Sequence, residues 1–465
     1  MEAAGTEEIP SIMGHNVEED TYTLSSPLFE DLWSRPRMRR VFGDREMVAG
    51  WVRVEVALAR AQATIGLIPP EEAEAIAAVG RNHVFDMAAM RAGVTATLHQ
   101  LMPFINQFRD ACPDEAGQYL HWGATTQDII DTGAMLRSKE ATQLIMEGLE
   151  QLEAALAALC EREASTVMAG RTHGQQALPI TFGFKVANWL EEVRRGIARL
   201  EGMTDRVFVA SIVGAVGTSA YMGSSGQDVA RRVAADLELG WDPVSWQAAR
   251  DRIGELLSSL ILIGSSLGRI GHELAILQKT EISEVHEPHG PGQIGSSTMP
   301  QKRNPSIAEG VLSAALMLRA QAGLAMELMA TEHERDDSRW QIDSRIVPEV
   351  FLLLDGQIGN LTYLLEGLEV DRERMRANIV DEIAGEPIMK LLASSLGRHN
   401  AHEILHECFM IAHDKRMPIL NVLLSNPTVS EHLSEADLRG VMDPSSYLGV
   451  AVEVARNAAR PRTVT

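Results

Sequence analysis

Eight apolar side chains, Ile253, Leu256, Leu260, Ile263, Leu267, Ile270, Leu274 and Leu277, follow one another in steps of three and four residues. Held for more than three heptads, that alternation is the seam of a long helix packed in a bundle. Gly264, Gly268 and Gly271 lie between these positions. Each glycine costs about 1 kcal/mol relative to alanine inside a helix, so their presence calls for a neighbouring helix in close backbone approach. A helix this long and apolar on more than one side needs more partners than its own chain supplies, which predicts a homo-oligomer.

Further helical segments surround the seam. Met47–Leu67 is periodic and ends near Gly66, and long segments with few breaks span Thr126–Glu163, Phe182–Met203, Ser306–Ala330 and Pro348–Leu365. The chain is 45% hydrophobic but only 5% aromatic, a balance that favours packed helices over sheets. No strand-rich region, fixed-period repeat or low-complexity linker stands out. The expectation is all-α, in three helical domains: residues 1–113, a central long-helix bundle over 114–366, and short helices over 367–465.

A net charge of −22 argues against nucleic acid or an anionic membrane as partner. The longest apolar stretch, Leu256–Leu267, is too short to span a bilayer. The N-terminal MEAAGTEEIP lacks the basic start and apolar run of a secretory signal. Cys112, Cys160 and Cys408 have no metal-ligand spacing and read as reduced, buried thiols of a cytoplasmic protein. No pairing of His, Cys or carboxylates matches a metal motif, and Gly214-Ala215-Val216-Gly217 is too glycine-poor for a dinucleotide fingerprint. No cofactor is implied.

Chemistry concentrates in Gly295–Pro305, GSSTMPQKRNP, which follows the glycine- and proline-rich run His286–Gly292. The composition makes a loop, and Asn304-Pro305 reads as a helix start with Asn as cap and Pro at the first helical position. A helix N-terminus favours an anion. Removing a proton beside a carboxylate builds a second negative charge there, so fixed donors and cations must face it. Ser296 or Ser297 is the candidate proton acceptor, with Lys302 and Asn304 holding the carboxylate. The structural alternative is a Gly/Ser turn, a surface lysine and a plain N-cap.

Two more segments suit such chemistry. In His121–Asp128, HWGATTQD, the Thr125 and Thr126 hydroxyls join helix N–H groups as carboxylate binders; the alternative is capping by Thr126 or Asp128. In Gly170–Gln176, GRTHGQQ, His173 is the one side chain able to protonate a leaving group near neutral pH, unless it is a structural histidine.

GSSTMPQKRNP resembles the signature of the aspartase/fumarase superfamily, and HWGATTQDIIDT and GRTHGQQALPITFG resemble its other motif regions in the adenylosuccinate lyase and 3-carboxy-cis,cis-muconate cycloisomerase branch. The resemblance runs from about Leu28 to Arg456. It implies a homotetramer with a twenty-helix core, each active site shared by three subunits. It makes Ser296 the base and His173 the acid. Substrate contacts carried over are Thr125, Thr126, Gln127, Thr172, Gln176, Ser297, Met299, Lys302 and Asn304. Arg335, in a segment like the family's HER, reaches substrate or supports the signature loop. His99 falls where adenylosuccinate lyases carry THHD or TRHD, with a buried core histidine as the alternative. Ala248–Arg252 resembles a QRDR segment whose glutamine is Ala249 here.

The implied activity is β-elimination from a succinyl-type dicarboxylate, cleaving a C–N bond to release fumarate. The alternatives are 3-carboxymuconate cycloisomerisation and adenylosuccinate cleavage. Where adenylosuccinate lyases place phosphate-binding Arg and Tyr, this chain has Leu32 and Trp33, and Ser344 replaces a further Arg, with Arg345 beside it. That argues for a substituent smaller than a nucleotide.

Overall fold

The computed structural model describes residues 26–290, 298–299 and 301–461. Helix is the dominant state, at 69%. The N-terminal helices include α1 (Asp44–Thr64), whose buried face packs on the long helix α2 (Thr126–Arg162). Leading from α2 is a hairpin of β1 (Val167–Thr172) and β2 (Gln175–Thr181), then α3 (Phe182–Val207) runs back along α2. The seam forms α4 (Asp251–Leu277), followed by a short strand β3 (Val285–His286). After the signature loop come α5 (Ser306–Ala320), α6 (Ala322–Glu327) and α7 (Asp337–Glu366).

The glycines of the seam do what their cost required. A Cβ on Gly268 would lie 2.2 Å from the Cβ of Ala315, and one on Gly271 would lie 2.7 Å from Val311 Cγ1 and 3.0 Å from the Ala308 carbonyl. A Cβ on Gly264 would meet Leu318 at 2.3 Å. So α5 lies in a groove that only glycine leaves open. By length and mean hydropathy (1.4) α4 passes for a membrane span, longer than the Leu256–Leu267 run suggested. Its apolar side chains are instead taken up by α5, α3 and α7.

Two sequence expectations are corrected, while the all-α reading holds. The Ser306–Ala330 helix breaks at Gln321 into α5 and α6. The segment expected from Pro348 begins eleven residues earlier, because buried Ile346, Val347, Val350 and Phe351 carry α7 through the proline. Four short strands are present among the described residues: β1 pairs antiparallel with β2, and β3 with β4 (Glu369–Val370).

A second, separate core of Ile388, Leu392, Leu405, Cys408, Leu423 and Leu438 belongs to the short C-terminal helices, including α8 (Gly385–Leu396) and α9 (Arg398–Lys415). The final helix, α10 (Ala451–Ala459), leaves that core and packs on α3 and α2. Cys112, Cys160 and Cys408 are buried and unpaired.

Candidate active site

The start of α2 gathers polar side chains from several distant parts of the chain. Thr125 is its N-cap, half-buried and in a capping box with Asp128. Arg335 Nη2 donates to Thr125 Oγ1 (3.1 Å) and to the carbonyl of Ala215 (2.8 Å), while its Nε–H is buried without a partner. Beside it, Thr126 Oγ1 lies 3.5 Å from His99 Nε2. His99 Nδ1 accepts the Met102 N–H (3.1 Å), which in the neutral imidazole puts the proton on Nε2, facing Thr126. Two hydroxyls, a histidine and a guanidinium thus converge on the positive end of a 37-residue helix.

Beneath them lies Asp128, fully buried. Its carboxylate accepts N–H groups from Thr125 (3.1 Å), Val213 (3.1 Å) and Gly214 (2.9 Å), and the Gln247 amide (3.1 Å). Burial pushes its pKa up to about 7 against the pull of those backbone donors. By this anchor the 213–215 loop is fixed to α2, which sets the carbonyl that orients Arg335. The loop, with His121, Trp122 and Tyr221, lines a cleft of about 660 Å³. His121 sits 2.7 Å from the buried Glu55; burial opposes its charge, but that carboxylate leaves the imidazole above its ordinary pKa.

Gln127, expected at the substrate, is instead buried and donates to Asp131 and the Gln247 carbonyl (3.1 Å each). Arg250 is enclosed between Asp131 (2.6 Å) and Asp343, and Trp340 Nε1 donates to Asp131 (2.9 Å). Arg252 is likewise taken up by Asp242 and the Arg206 carbonyl. The ion-paired reading of Ala248–Arg252 is therefore the one observed.

The remaining candidates stand at the far end of the bundle. His173 occupies the hairpin tip, exposed, with φ +53° followed by Gly174 at +75°, the left-handed pair that a two-residue hairpin turn requires. Thr172 is exposed next to it. Arg171 clamps the buried Glu284 with two hydrogen bonds (3.2 and 2.6 Å), and Asn378 donates to the same carboxylate. Gln176 is spent on the backbone, donating to Asn378 O (2.7 Å) and accepting from Val380 N (3.1 Å). These contacts orient the hairpin against the linker to the C-terminal helices.

Of the signature loop, Ser296 and Ser297 lie outside the described residues. Met299 is 42% exposed, Lys302 is exposed, and Asn304 is half-buried. The helix start differs from expectation: α5 begins at Ser306, and its free N–H groups at Ile307 (3.1 Å) and Ala308 (3.2 Å) are taken by the Glu287 carboxylate. Burial raises the Glu287 pKa even so. An internal carboxylate thus holds the position that sequence reading gave to substrate, with Asn304 as cap.

Within one chain, then, Thr125, Thr126, His99 and Arg335 come together. His173 does not join them: the whole of α2 lies between, about 55 Å at 1.5 Å per residue. Lys302 is separated from Arg335 by α5 and α6, about 30 Å of helix. Sequence reading missed Asp128 as an anchor, Gln247, and the 213–221 cleft. The available signal was the pair Gly214 and Gly217, whose φ values are +75° and +82° and which mark a shaped loop rather than a nucleotide fingerprint.

Residues 33–318 match a family model described as Lyase, and residues 382–458 one described as Adenylosuccinate lyase C-terminus. The chain is 36% identical to an N-acetyl-S-(2-succino)cysteine lyase of Enterococcus italicus, covering 93% of this chain and 96% of that one. It is 37% identical to an adenylosuccinate lyase of Pyrococcus horikoshii, over 90% and 94% of the two chains. Among solved structures, the 3-carboxy-cis,cis-muconate lactonizing enzyme of Pseudomonas putida superposes with a TM-score of 0.88 at 34% identity, covering 93% of this chain and 98% of that one.

Proposed function

This chain belongs to the aspartase/fumarase superfamily of lyases, and on that premise we propose that it splits a succinylated amine or thiol into fumarate and the free nucleophile. Ser296 Oγ, ionised, takes the proton from the carbon beside one carboxylate. The electron pair forms the new C=C bond, the bond to nitrogen or sulfur on the neighbouring carbon breaks, and the leaving atom departs with its electrons. His173 protonates a leaving amine; a thiol, with its ordinary pKa near 8.5, leaves as thiolate with little help. Lys302 and Asn304 face the carboxylate whose charge grows, while Thr125, Thr126 and Arg335 hold the other.

The observation that carries this reading is the cluster at the start of α2. Two hydroxyls and a guanidinium with an unused buried N–H there fit a carboxylate. The leaving atom expected from sequence is nitrogen, and the relative from Enterococcus italicus sets sulfur beside it. A nucleotide is disfavoured: Arg345, the cation nearest the family's phosphate position, is 78% exposed and pairs with Glu349 (3.4 Å) on its own helix.

The placement of the two half-sites at opposite ends of α2, a helix about 55 Å long, supports active sites assembled from several subunits of a homotetramer. So do the exposed apolar side chains Leu316, Leu324, Met326 and Met329 along α5 and α6 and just beyond them. A cytoplasmic setting accords with three buried, unpaired thiols. The second reading, lactone formation from 3-carboxymuconate, uses the same acid–base groups without losing a fragment, and the P. putida structure favours it as runner-up.

The test is a panel of N-acetyl-S-(2-succino)cysteine, N-succinyl amino acids, aspartate, nitrosuccinate, argininosuccinate, adenylosuccinate and 3-carboxymuconate, followed for fumarate and lactone. Fumarate from a succinylated small amine or thiol is expected. Lactone as the sole product promotes the second reading, and fumarate from adenylosuccinate alone overturns the size argument.

A further inference from the structure

Among the described residues, Arg137 has a buried guanidinium nitrogen without a hydrogen-bond partner. Three turns along α2 from Thr126, it is half-buried, and among the described residues no carboxylate oxygen lies within 4 Å of it. Its Nε–H is buried without a partner, and its guanidinium lies 5.9 Å over the ring of Phe42. Among the described residues Asp44 is the acidic group whose charge bears on it, and burial still pulls its pKa down to about 10. A desolvated guanidinium with five donors is costly unless an acceptor completes it.

The space for that acceptor is present. A cavity of about 70 Å³ is lined by Arg137, Phe42, Met47, Ile130, Ala134 and Trp340, with exposed Ser344 at its rim. A single water needs ~10–15 Å³, so the cavity takes a short side arm rather than one solvent molecule. The other charges on its wall are Asp131 and Asp343, which hold Arg250 between them and leave one Asp343 oxygen and the Arg250 Nε–H without a partner. Thr126, Ile130, Ala134 and Arg137 follow at steps of four, four and three, so one face of α2 runs from the carboxylate-binding hydroxyls to this guanidinium. Eleven residues are about 16 Å of axis, and side chains lean toward the helix N-terminus, which leaves about 10 Å between the two charged ends. That is the reach of a succinyl group joined through one heteroatom to a second short acid.

We propose that this cavity is the leaving-group subsite, and that Arg137 selects a leaving amine or thiol that carries its own carboxylate. The inference rests on the proposed elimination and narrows its substrate class to succinylated amino-acid-like compounds. Trp340, Phe42 and Met47 accept a small apolar substituent on the same arm.

The test compares the S-(2-succino) adducts of N-acetylcysteine and N-acetylcysteamine, which differ only in that carboxylate. Wild type is expected to prefer the acid about tenfold or more in kcat/KM, chiefly through KM, and Arg137→Met to bring the ratio to within about twofold. Equal rates on both adducts in wild type, or an unchanged preference in Arg137→Met, overturn the assignment. Binding of the two free thiols to wild type, read by thermal shift, decides the point without turnover or a variant: tighter binding of N-acetylcysteine supports it, and equal binding overturns it. Fumarate from neither adduct with selective N-acetylcysteine binding speaks against the elimination chemistry while the subsite stands.

Discussion

If each active site draws its two halves from different subunits, two inactive variants with lesions at opposite ends must restore one another. Arg335→Met removes the guanidinium at the start of α2, and Lys302→Met removes the ammonium before α5. Either loss of a charge-bearing carboxylate contact is expected to lower kcat by about 10²–10³. Within one chain the two positions are about 30 Å apart along α5 and α6, too far to serve one succinyl group. Co-expressed in equal amounts and assorted at random, half of the first ends and half of the second ends are intact. About one quarter of the sites then combine two intact halves, giving about 25% of wild-type activity per site. The assay is fumarate release by the mixed oligomer, isolated with a different tag on each variant and compared with each variant alone. Recovery below a few per cent in an oligomer shown to contain both chains refutes the shared-site geometry, as does full activity in an isolated monomer.

Other consequences follow from individual contacts. Arg250→Met leaves Asp131 and Asp343 buried without their cation, which costs about 3–5 kcal/mol. At about 1 kcal/mol per degree of unfolding entropy for a chain of this length, calorimetry is expected to show a Tm lower by about 3–5 °C, and adding Asp343→Asn is expected to recover part of it. Asp128, with its pKa raised from 3.8 to about 7, keeps its proton in the folded state where the unfolded chain has lost it. Between pH 4 and 7 its contribution to stability therefore falls as pH rises, by about 4 kcal/mol in all, and is flat above pH 7. Asp128→Asn is expected to remove that slope in Tm against pH and to lower kcat/KM by loosening the 213–215 loop; an unchanged slope assigns the titration elsewhere. Gly268→Ala drives a methyl to 2.2 Å from Ala315 and is expected to cost about 1–3 kcal/mol in thermal stability.

The fold was legible where the physics is local. The three–four spacing of the seam gave α4, and the energetic penalty of its three glycines pointed to the close approach that α5 makes. Capping by Thr126 or Asp128 and ion pairing of Arg250 were both present as structural alternatives: the cap is Thr125, one residue earlier, with Asp128 as its partner in the capping box, and the ion pairs are observed. What escaped depends on distant partners. Glu287 takes the N-terminus of α5 from nineteen residues upstream, and no pattern around Asn304-Pro305 announces it. Pro348 reads as a helix start until the apolar residues on either side of it are seen to be buried. The hairpin carrying His173 lacks strict alternation, and its turn is set by the left-handed His173-Gly174 pair. Gln127 donates to Asp131 and Gln176 bonds the backbone at 378–380, contacts that no local pattern around either residue announces.

The account stands on a proton being taken from the carbon next to a carboxylate while the neighbouring heteroatom leaves. The most direct measurement uses N-acetyl-S-(2-succino)cysteine with both hydrogens of the succinyl methylene replaced by deuterium, and reads the mass of the fumarate released and the rate of its release. Fumarate carrying one deuterium, formed more slowly than from the unlabelled compound and lost with Ser296→Ala, is the predicted result. No fumarate from this or any other succinylated amine or thiol, or undiminished release by Ser296→Ala, contradicts it.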